Sequence, residues 1–253
     1  MRSLRGVKEM DRHVVLVGGG LQNALVALAL DAADSDVRVT MIDRAEQLGG
    51  NHTWCFFESD LSAQAHAWCA PLVTHRWPRY DVRFPELTRT IETGYARTDG
   101  ERLNSVVQDL FKRRSSWRLR TGVSVSDDKI SAGVMTLSDG SEERFDLAVV
   151  ATGPRRERSL SGAGFQKFFG AEVLLSQPHG IRWPVVMDAK VEQQDGLRFF
   201  YLLPLDERRL LVEDTRFSDA STLNRDALRR EVERYMDRAG FRVEKYERLE
   251  AGV

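Results

Sequence analysis

The sequence predicts an α/β fold in which a parallel dinucleotide-binding unit is followed by an antiparallel β-sheet domain. Near the N-terminus, an apolar run ends at three consecutive glycines, and apolar residues with helical spacing follow. From Phe165 onward, strand-like segments alternate with turn signals, as in an antiparallel sheet. The predicted domains therefore cover residues 1–164 and 165–253, and residues 76–97 are predicted to be an insertion that belongs to the second domain.

Composition limits the classes of protein to which the chain can belong. Its 37 Lys and Arg residues nearly balance its 38 Asp and Glu residues, so charge gives no reason to expect a nucleic acid as partner. No apolar stretch approaches the roughly 20 residues of a membrane-spanning helix. The first residues, MRSLRGVKEM, lack the apolar run of a secretory signal, so we expect a cytoplasmic protein. Cys55 and Cys69 form no CxxC pair, which favours reduced thiols and no metal site.

The first predicted elements form a strand, a glycine turn, a helix and a second strand. His13–Val17 is an apolar, β-branched run that predicts a buried strand, and residues 38–43 predict another. Between them, spacings of three and four place one apolar stripe on a helix, formed by Leu21, Ala24, Leu25, Leu28 and Ala29. This order within about 30 residues is typical of the βαβ unit of Rossmann-like dinucleotide-binding domains.

The residues at the glycine turn suit the binding of a pyrophosphate. A first glycine allows a tight turn, a second lets the backbone approach the phosphates, and the helix N-terminus presents N–H groups to them. An acidic residue at the end of the second strand accepts hydrogen bonds from the ribose hydroxyls of an unphosphorylated cofactor such as FAD or NAD. The predicted cofactor contacts here are Gly18, Gly19, Gly20, Leu21 and Asp43.

Further glycines favour FAD over NAD, although one position departs from the usual motif. Gly49 and Gly50 follow the acidic end of the second strand, where FAD-binding enzymes use a glycine pair to bring a loop past the cofactor. A predicted strand over residues 147–151 leads to Gly153, a further candidate contact. Each of these glycines is also compatible with a simple turn. Asn23 stands where GxGxxG has its third glycine, which makes the motif imperfect.

The remaining elements are predicted from periodicity and turn chemistry. Thr98 or Asp99 caps a helix with one apolar face, and Asp139–Gly140 is predicted to be a hairpin turn. Turns are also predicted at Asp195–Gly196 and after Pro204, and a second helix is predicted to end near Gly240. The other predicted strands cover residues 117–125, 134–137, 165–175, 185–190, 198–203 and 209–215.

Several longer segments resemble one family closely. They are GGNHTW at 49–54, APLV at 70–73, WPRYDVRFP at 77–85, PHG at 178–180, PVVMDAKVEQQDGLRFFYLLPL at 184–205 and RLLVEDT at 209–215. In these segments the chain resembles the bacterial lycopene β-cyclases, which are carotenoid-pathway flavoproteins. Generic flavoproteins share the glycine motifs but not these segments. The resemblance implies a flavoprotein hydroxylase-like architecture, with a Rossmann-like FAD-binding domain and an antiparallel substrate domain.

The resemblance also implies a reaction. In this family the ψ ends of lycopene become β-ionone rings without net oxidation, reduced FAD is required, and NAD(P)H is the expected reductant. A carboxylic acid protonates the terminal double bond, the neighbouring alkene attacks the carbocation, and the ring loses a proton. The family's catalytic carboxylate corresponds to Glu213, with Asp214 beside it.

Physical reasoning supports Glu213 independently of the resemblance. A hydrocarbon offers no polar handle, so only a strong proton donor shielded from water can start the reaction. Residues 210–212 are apolar, and burial among such residues raises the pKa of a carboxyl. Glu213 and Asp214 point to opposite faces of a strand, so we expect only Glu213 to face the substrate. The alternative is a partly exposed acid paired with Arg209 or Arg216.

Aromatic residues are candidates to line the substrate pocket, where each would stabilise a cation by roughly 0.5–2 kcal/mol. Strand alternation prevents the last three of the set from sharing one face, and core positions are the alternative for most of them. The candidates are Trp54, Phe56, Phe57, Phe199, Phe200 and Tyr201.

Family members continue past the position of Val253, so we expect a C-terminally truncated chain that binds FAD weakly and has little activity alone. Two other functions stay open at this point. One is an FAD-dependent monooxygenase or reductase of an apolar substrate, and the other is an inactive nucleotide-binding fragment. Because lycopene dissolves in lipid, the intact enzyme is expected to lie at a membrane surface, peripheral to the inner membrane.

Overall fold

A computed structural model describes residues 12–153, 164–194 and 196–253. The predicted N-terminal segment and the turn residue Asp195 lie outside these ranges. The helices are α1 (Leu21–Ala32), α2 (Ala63–Cys69), α3 (Gly100–Arg113) and α4 (Arg225–Arg238). The strands are β1 (His13–Val17), β2 (Arg38–Ile42), β3 (Thr53–Phe57), β4 (His75–Trp77), β5 (Tyr80–Phe84), β6 (Leu87–Ile91), β7 (Tyr95–Asp99), β8 (Trp117–Arg120), β9 (Ile130–Ser131), β10 (Val134–Thr136), β11 (Glu142–Arg144), β12 (Leu147–Val150), β13 (Phe165–Leu175), β14 (Val185–Asp188), β15 (Leu197–Pro204), β16 (Arg209–Ser218) and β17 (Val243–Gly252).

The chain divides into two compact units. Within the described ranges, unit 1 comprises residues 12–55, 61–74 and 97–153, and unit 2 comprises 56–60, 75–96, 164–194 and 196–253. A separate three-stranded sheet has the order β3-β7-β4. The assignment of the two units to cofactor and substrate remains a prediction.

Unit 1 is built on a parallel sheet with the strand order β12-β1-β2-β8. The first three predicted elements are confirmed as β1, α1 and β2. Because side chains alternate along a strand, β1 and β2 each contribute residues to both faces of the sheet. One face packs against α1 and α3 through a core that contains Leu16, Ala24, Ala27, Leu28, Val39, Met41, Leu103, Val107, Leu110 and Phe111.

The other face of the parallel sheet packs against a small antiparallel sheet with the order β11-β10-β9. Val15, Val17 and Ile42 contact Met135 and Leu137 there. The predicted hairpin turn between β10 and β11 is confirmed, because the amide of Gly140 donates to the carbonyl oxygen of Leu137 at 2.9 Å. The strand predicted over residues 117–125 is too long. It ends at Arg120, since Gly122 adopts a φ of 71° and turns the chain.

Unit 2 is a seven-stranded sheet with the order β17-β13-β16-β15-β14-β5-β6, covered on one face by α4. Its pairs are antiparallel except for β14 with β5, which the sequence did not predict. The side chain of Asn224 caps α4 by accepting from the amide of Ala227 at 3.0 Å. The core between sheet and helix contains Phe169, Ala171, Val173, Phe200, Leu202, Leu210, Val212, Leu228, Val232, Tyr235 and Met236.

Three sequence-based expectations concern cysteines, metals and membranes. Neither Cys55 nor Cys69 is in a disulfide, and burial raises the pKa of the Cys69 thiol. Within the described ranges, no three His, Cys, Asp or Glu residues come together as a metal site. In the same part of the chain, no helix is both long and apolar enough to cross a bilayer.

Candidate functional site

A cleft of about 460 Å³ lies at the carboxyl ends of β1, β2 and β12 in unit 1. Ligands of open parallel sheets bind at this edge of the sheet. Seven of the eight predicted cofactor contacts line the cleft, and these are Gly18, Gly19, Gly20, Asp43, Gly49, Gly50 and Gly153. The eighth, Leu21, is not among the lining residues, and its side chain packs against the unit 1 core.

The glycine turn is shaped by two different requirements. Gly18 has a φ of 100°, and a Cβ there would lie 2.4 Å from the carbonyl oxygen of Ala151, so no larger residue fits. A Cβ on Gly20 would meet no atom within 4 Å, because this position opens toward the cleft. Gly20 is also the N-cap of α1, and as a glycine it has no side chain that could cap the helix. The N-terminus of α1 therefore presents its N–H groups and partial positive charge to an anion in the cleft.

Asp43 braces the glycine turn. One carboxylate oxygen accepts from the amide of Gly19 at 2.6 Å, and the other accepts from the amide of Ala45 at 2.7 Å. Each carboxylate oxygen has a second lone pair, so both can still accept a hydrogen bond from a ribose hydroxyl.

The second glycine pair packs against the first turn and against α3. The amide of Gly49 donates to the carbonyl oxygen of Gly19 at 2.9 Å. Gly49 and Gly50 have φ values of 77° and 57°, which favour glycine at both positions. A Cβ on Gly49 would lie 2.9 Å from the Cα of Gly100, and a Cβ on Gly100 would lie 2.0 Å from the carbonyl oxygen of Gly50. Sequence reasoning missed Gly100, although it directly follows the helix cap Asp99.

Asn23 explains the imperfect glycine motif. It is fully buried, and its Nδ2 donates to the carbonyl oxygens of Val17 at 3.0 Å and Gly18 at 2.8 Å. The amide thus ties α1 to the end of β1, where a glycine would only permit close packing.

Sequence reasoning also missed several polar residues at the cleft. Arg44 follows Asp43 and brings a positive charge to the lining, and Gln47 and His52 add polar groups. Their loop position after the second strand was the available signal.

A carboxyl group lies on the face of the unit 2 sheet that α4 does not cover. Glu213 on β16 is directly paired with Tyr201 on β15 and with Gly170 on β13. Directly paired residues point to the same face, and Val212 and Asp214 point to the opposite one. The hydroxyl of Thr215 donates to Oε1 of Glu213 at 2.8 Å.

The environment of Glu213 favours its protonated form. Burial raises its pKa to about 7, and the negative charges of Glu250 and Asp214 act in the same direction. The hydrogen bond from Thr215 and the positive charge of Arg248 oppose this shift. A carboxyl with a pKa raised in this way can hold a proton near neutral pH, as a general acid must to act there.

Asp214 has a different environment. Its side chain is fully buried, and it accepts from Arg198 Nη2 at 2.9 Å and from Arg216 Nη2 at 2.8 Å. Arg198 is also bound by Glu231 of α4 at 3.0 Å. The ion pair foreseen as an alternative for Glu213 is thus made by its neighbour.

The aromatic residues of β15 divide between the two faces. Phe199 and Tyr201 lie on the same face as Glu213, with their rings 5.3 Å apart. Phe200 lies on the α4 face, where it stacks on Tyr235 at 4.1 Å. The prediction that one face cannot hold all three is confirmed.

The family model described as "Lycopene cyclase protein" matches residues 13–253. The chain belongs to the lycopene cyclase family. It is 40% identical over 240 residues to a lycopene beta-cyclase of Pantoea ananas, and the match covers 95% of this chain and 61% of that protein. It is 38% identical over 241 residues to one of Pseudescherichia vulneris, covering 95% and 61%. The chain thus spans about three fifths of these relatives, and the predicted resemblance is confirmed.

Solved structures show the same fold at low sequence identity. A p-nitrophenol 4-monooxygenase from Pseudomonas putida DLL-E4 is similar with a TM-score of 0.65 and 14% identity, covering 96% of this chain and 67% of that one. A probable FAD-dependent monooxygenase from Pseudomonas aeruginosa has a TM-score of 0.64 and 15% identity, covering 95% and 72%. The predicted flavoprotein hydroxylase-like architecture is confirmed. Identities this low carry no information on substrate.

Proposed function

We propose that the protein containing this chain is a lycopene β-cyclase, which converts the ψ ends of lycopene to β-ionone rings without net oxidation. The observation that carries this proposal is Glu213, a carboxyl whose burial raises its pKa to about 7 on an aromatic-bearing face of the sheet. Membership of the lycopene cyclase family supplies the substrate class.

The proposed reaction needs a proton donor, and it needs no oxidant or reductant that acts on the substrate. In the proposed first step, the terminal double bond takes the proton of Glu213, and the electron pair of the broken O–H bond stays on the carboxylate. The neighbouring alkene closes the ring on the tertiary carbocation, and loss of a ring proton gives the product. Atoms and electrons balance without an oxidant. Phe199 and Tyr201, on the same face, supply π surfaces that favour a cation by roughly 0.5–2 kcal/mol each.

The cleft of unit 1 fits the adenosine diphosphate part of FAD. Gly20 leaves space where a pyrophosphate would lie, and the N-terminus of α1 offers N–H groups. Asp43 is available to ribose hydroxyls, and Gly49, Gly50 and Gly153 line the same cleft. Leu21 would contribute only its backbone N–H. When bound in reduced form, FAD supplies a negative charge that stabilises the cation, and NAD(P)H is the proposed reductant.

Asp214 is proposed to position Glu213 rather than to meet the substrate. Its ion pairs with Arg198 and Arg216 hold β16 from the α4 side, so Glu213 keeps its place on the other face.

The decisive experiment uses the full-length protein in bacterial cells that accumulate lycopene. We expect cyclic carotenes in the pigment extract, and Glu213→Gln should lower their formation by about 10²-fold or more, since it removes the general acid. Flavin absorbance of the purified variant should not change. The matched control is Glu207→Gln, an exposed acid in the turn between β15 and β16. Full activity of Glu213→Gln would remove Glu213 from the acid role.

The same preparation tests the other functions. A monooxygenase or reductase would consume NAD(P)H in proportion to product, whereas a cyclase needs only enough to keep the flavin reduced. An inactive nucleotide-binding fragment would convert no lycopene with any reductant. Because lycopene resides in lipid, we also propose that the protein works at a membrane surface, which sedimentation with lipid vesicles would test.

A further inference from the structure

A second carboxyl group lies in the same row of the unit 2 sheet as Glu213. Glu213 on β16 is paired with Gly170 on β13, and Gly170 is in turn paired with Glu250 on β17. Directly paired residues share a face. The two acids therefore flank a position that has no side chain.

Gly170 provides the space between the two acids. A Cβ at this position would lie 3.1 Å from Oε2 of Glu213 and 3.5 Å from its Cβ. The carboxyl group of Glu213 thus lies over Gly170, on the side that leads to β17. The φ of Gly170 is not in the left-handed region, so its place is explained by space and not by backbone conformation.

A cation lies beside Glu250. Arg248 Nη1 lies 4.0 Å from Oε2 of Glu250, and Arg248 Nη2 forms an ion pair with Glu172 on β13. The Glu250 side chain is only 10% exposed. A row of alternating charges, formed by Glu172, Arg248 and Glu250, therefore ends beside Glu213.

We propose that Glu250 is a positioning residue for the proton donor, and that its carboxylate, anchored by Arg248, keeps the proton on Glu213 across Gly170. The proposal rests on the proposed function of Glu213 as the acid. Two neighbouring carboxyl groups repel each other when both are ionised, so the pair retains one proton to a higher pH than an isolated acid would.

The other groups around Glu213 raise or lower its pKa in directions that follow from their charge and hydrogen bonding. Asp214 acts in the same direction as Glu250, whereas Thr215 and Arg248 favour the ionised form of Glu213 and lower its pKa. Removing Glu250 or Arg248 should therefore move the titration of Glu213 in opposite directions. General destabilisation of the sheet would not produce opposite signs.

The pair also accounts for the return of the proton. When Glu213 gives its proton to the double bond, both carboxyl groups are charged and their repulsion is at its greatest. Uptake of the proton that leaves the ring relieves this repulsion and restores the acid. One proton leaves the pair and one returns in each cycle, so no further reactant is needed.

The test is a pH titration of ¹³C-labelled glutamate carboxyls by NMR, with the Glu213 signal assigned from its absence in Glu213→Gln. Glu250→Gln should lower the midpoint of Glu213 by at least about one pH unit, and Arg248→Gln should raise it. Glu247→Gln is the matched control, because Glu247 lies on the same strand but pairs with Arg209 at 2.9 Å. It should leave the midpoint unchanged.

A second variant covers the case in which Glu250→Gln does not fold. Glu250→Asp keeps the charge but shortens the side chain by one methylene, which draws the carboxylate back from Glu213 and should lower the midpoint by a smaller amount than Glu250→Gln. In the full-length enzyme, Glu250→Gln should move the alkaline limb of the kcat profile to lower pH, and Glu250→Asp should restore part of the shift.

The outcomes separate this proposal from the function on which it rests. If the midpoint of Glu213 stays in place in Glu250→Gln and in Glu250→Asp, the pair is refuted even when Glu213→Gln is inactive. If Glu213→Gln cyclises lycopene normally, the function is refuted, and the midpoints still decide whether the pair exists.

Discussion

Replacing Asp214 by Ala should destabilise unit 2 strongly, because it removes the carboxylate that neutralises a buried arginine. Arg198 is 1% exposed and Asp214 is fully buried. Arg198 donates to Asp214 through Nε at 3.0 Å and Nη2 at 2.9 Å, in a bidentate arrangement. In Asp214→Ala, the Arg198 guanidinium would still form its ion pair with Glu231 at 3.0 Å. It would also retain one long hydrogen bond to the carbonyl oxygen of Glu192 at 3.4 Å.

The expected magnitude follows from this partial compensation. Removing one partner of a buried ion pair costs about 3–5 kcal/mol, because the other charge stays buried. Since Glu231 remains beside Arg198, we expect the lower end, about 3 kcal/mol, for Asp214→Ala. Replacing both partners, as in Arg198→Met with Asp214→Leu, should cost less than Asp214→Ala alone, because the buried guanidinium is then removed too and only the partly exposed side chains of Arg216 and Glu231 lose a partner.

Urea unfolding followed by circular dichroism measures these free energies. The matched control is Glu233→Ala, which breaks the surface ion pair with Arg229 at 2.9 Å, where the side chains are 38% and 46% exposed. It should cost no more than about 1 kcal/mol. A loss below about 1 kcal/mol for Asp214→Ala would refute the structural role assigned to Asp214. Equal losses of stability in Asp214→Ala and in its control would refute it as well.

Three further predictions concern the two sites. Folding raises the pKa of Glu213 from 4.5 to about 7, so this group should take about 3 kcal/mol from the free energy of unfolding of the wild type as pH rises through that window. Glu213→Gln should not show this loss. The same pH dependence of the free energy of unfolding in both proteins, measured by urea unfolding, would contradict the prediction. Gly20→Val should abolish flavin absorbance but leave the melting temperature of the flavin-free protein unchanged. Gly18→Val should lower that melting temperature, since its Cβ would lie 2.4 Å from the carbonyl oxygen of Ala151. Asn23→Ala should cost about 1–3 kcal/mol in urea unfolding, and a smaller loss would show that its amide is dispensable.

The elements that were predicted correctly are those whose signals are local. β1, α1 and β2 follow from a short apolar run, a glycine turn and helical spacing, all within a few residues of one another. Asp99 caps α3 by accepting from the amide of Arg102 at 2.9 Å, so one of the two predicted caps is confirmed.

β17 was missed because its sequence does not alternate. Its pairing with β13 shifts between Glu172 and Val173 and again between Leu174 and Leu175. Each irregularity breaks the period of two on which strand prediction depends. The exposed, charged residues of this strand therefore gave no apolar face to detect.

The surroundings of Glu213 could not be predicted for a related reason. Its position on a strand was available from the sequence, but Gly170 and Glu250 reach it only through the pairing of β16, β13 and β17. Such pairings are non-local, and a shift of one residue would place every side chain on the opposite face.

The amide of Asn23 has a consequence for ligand capture. Because it fastens the start of α1 to β1 within the protein itself, the phosphate-facing N–H groups keep their orientation before any nucleotide arrives. An incoming ligand then loses its own freedom on association but has little backbone left to order. Such preorganisation favours rapid binding of a nucleotide at this turn.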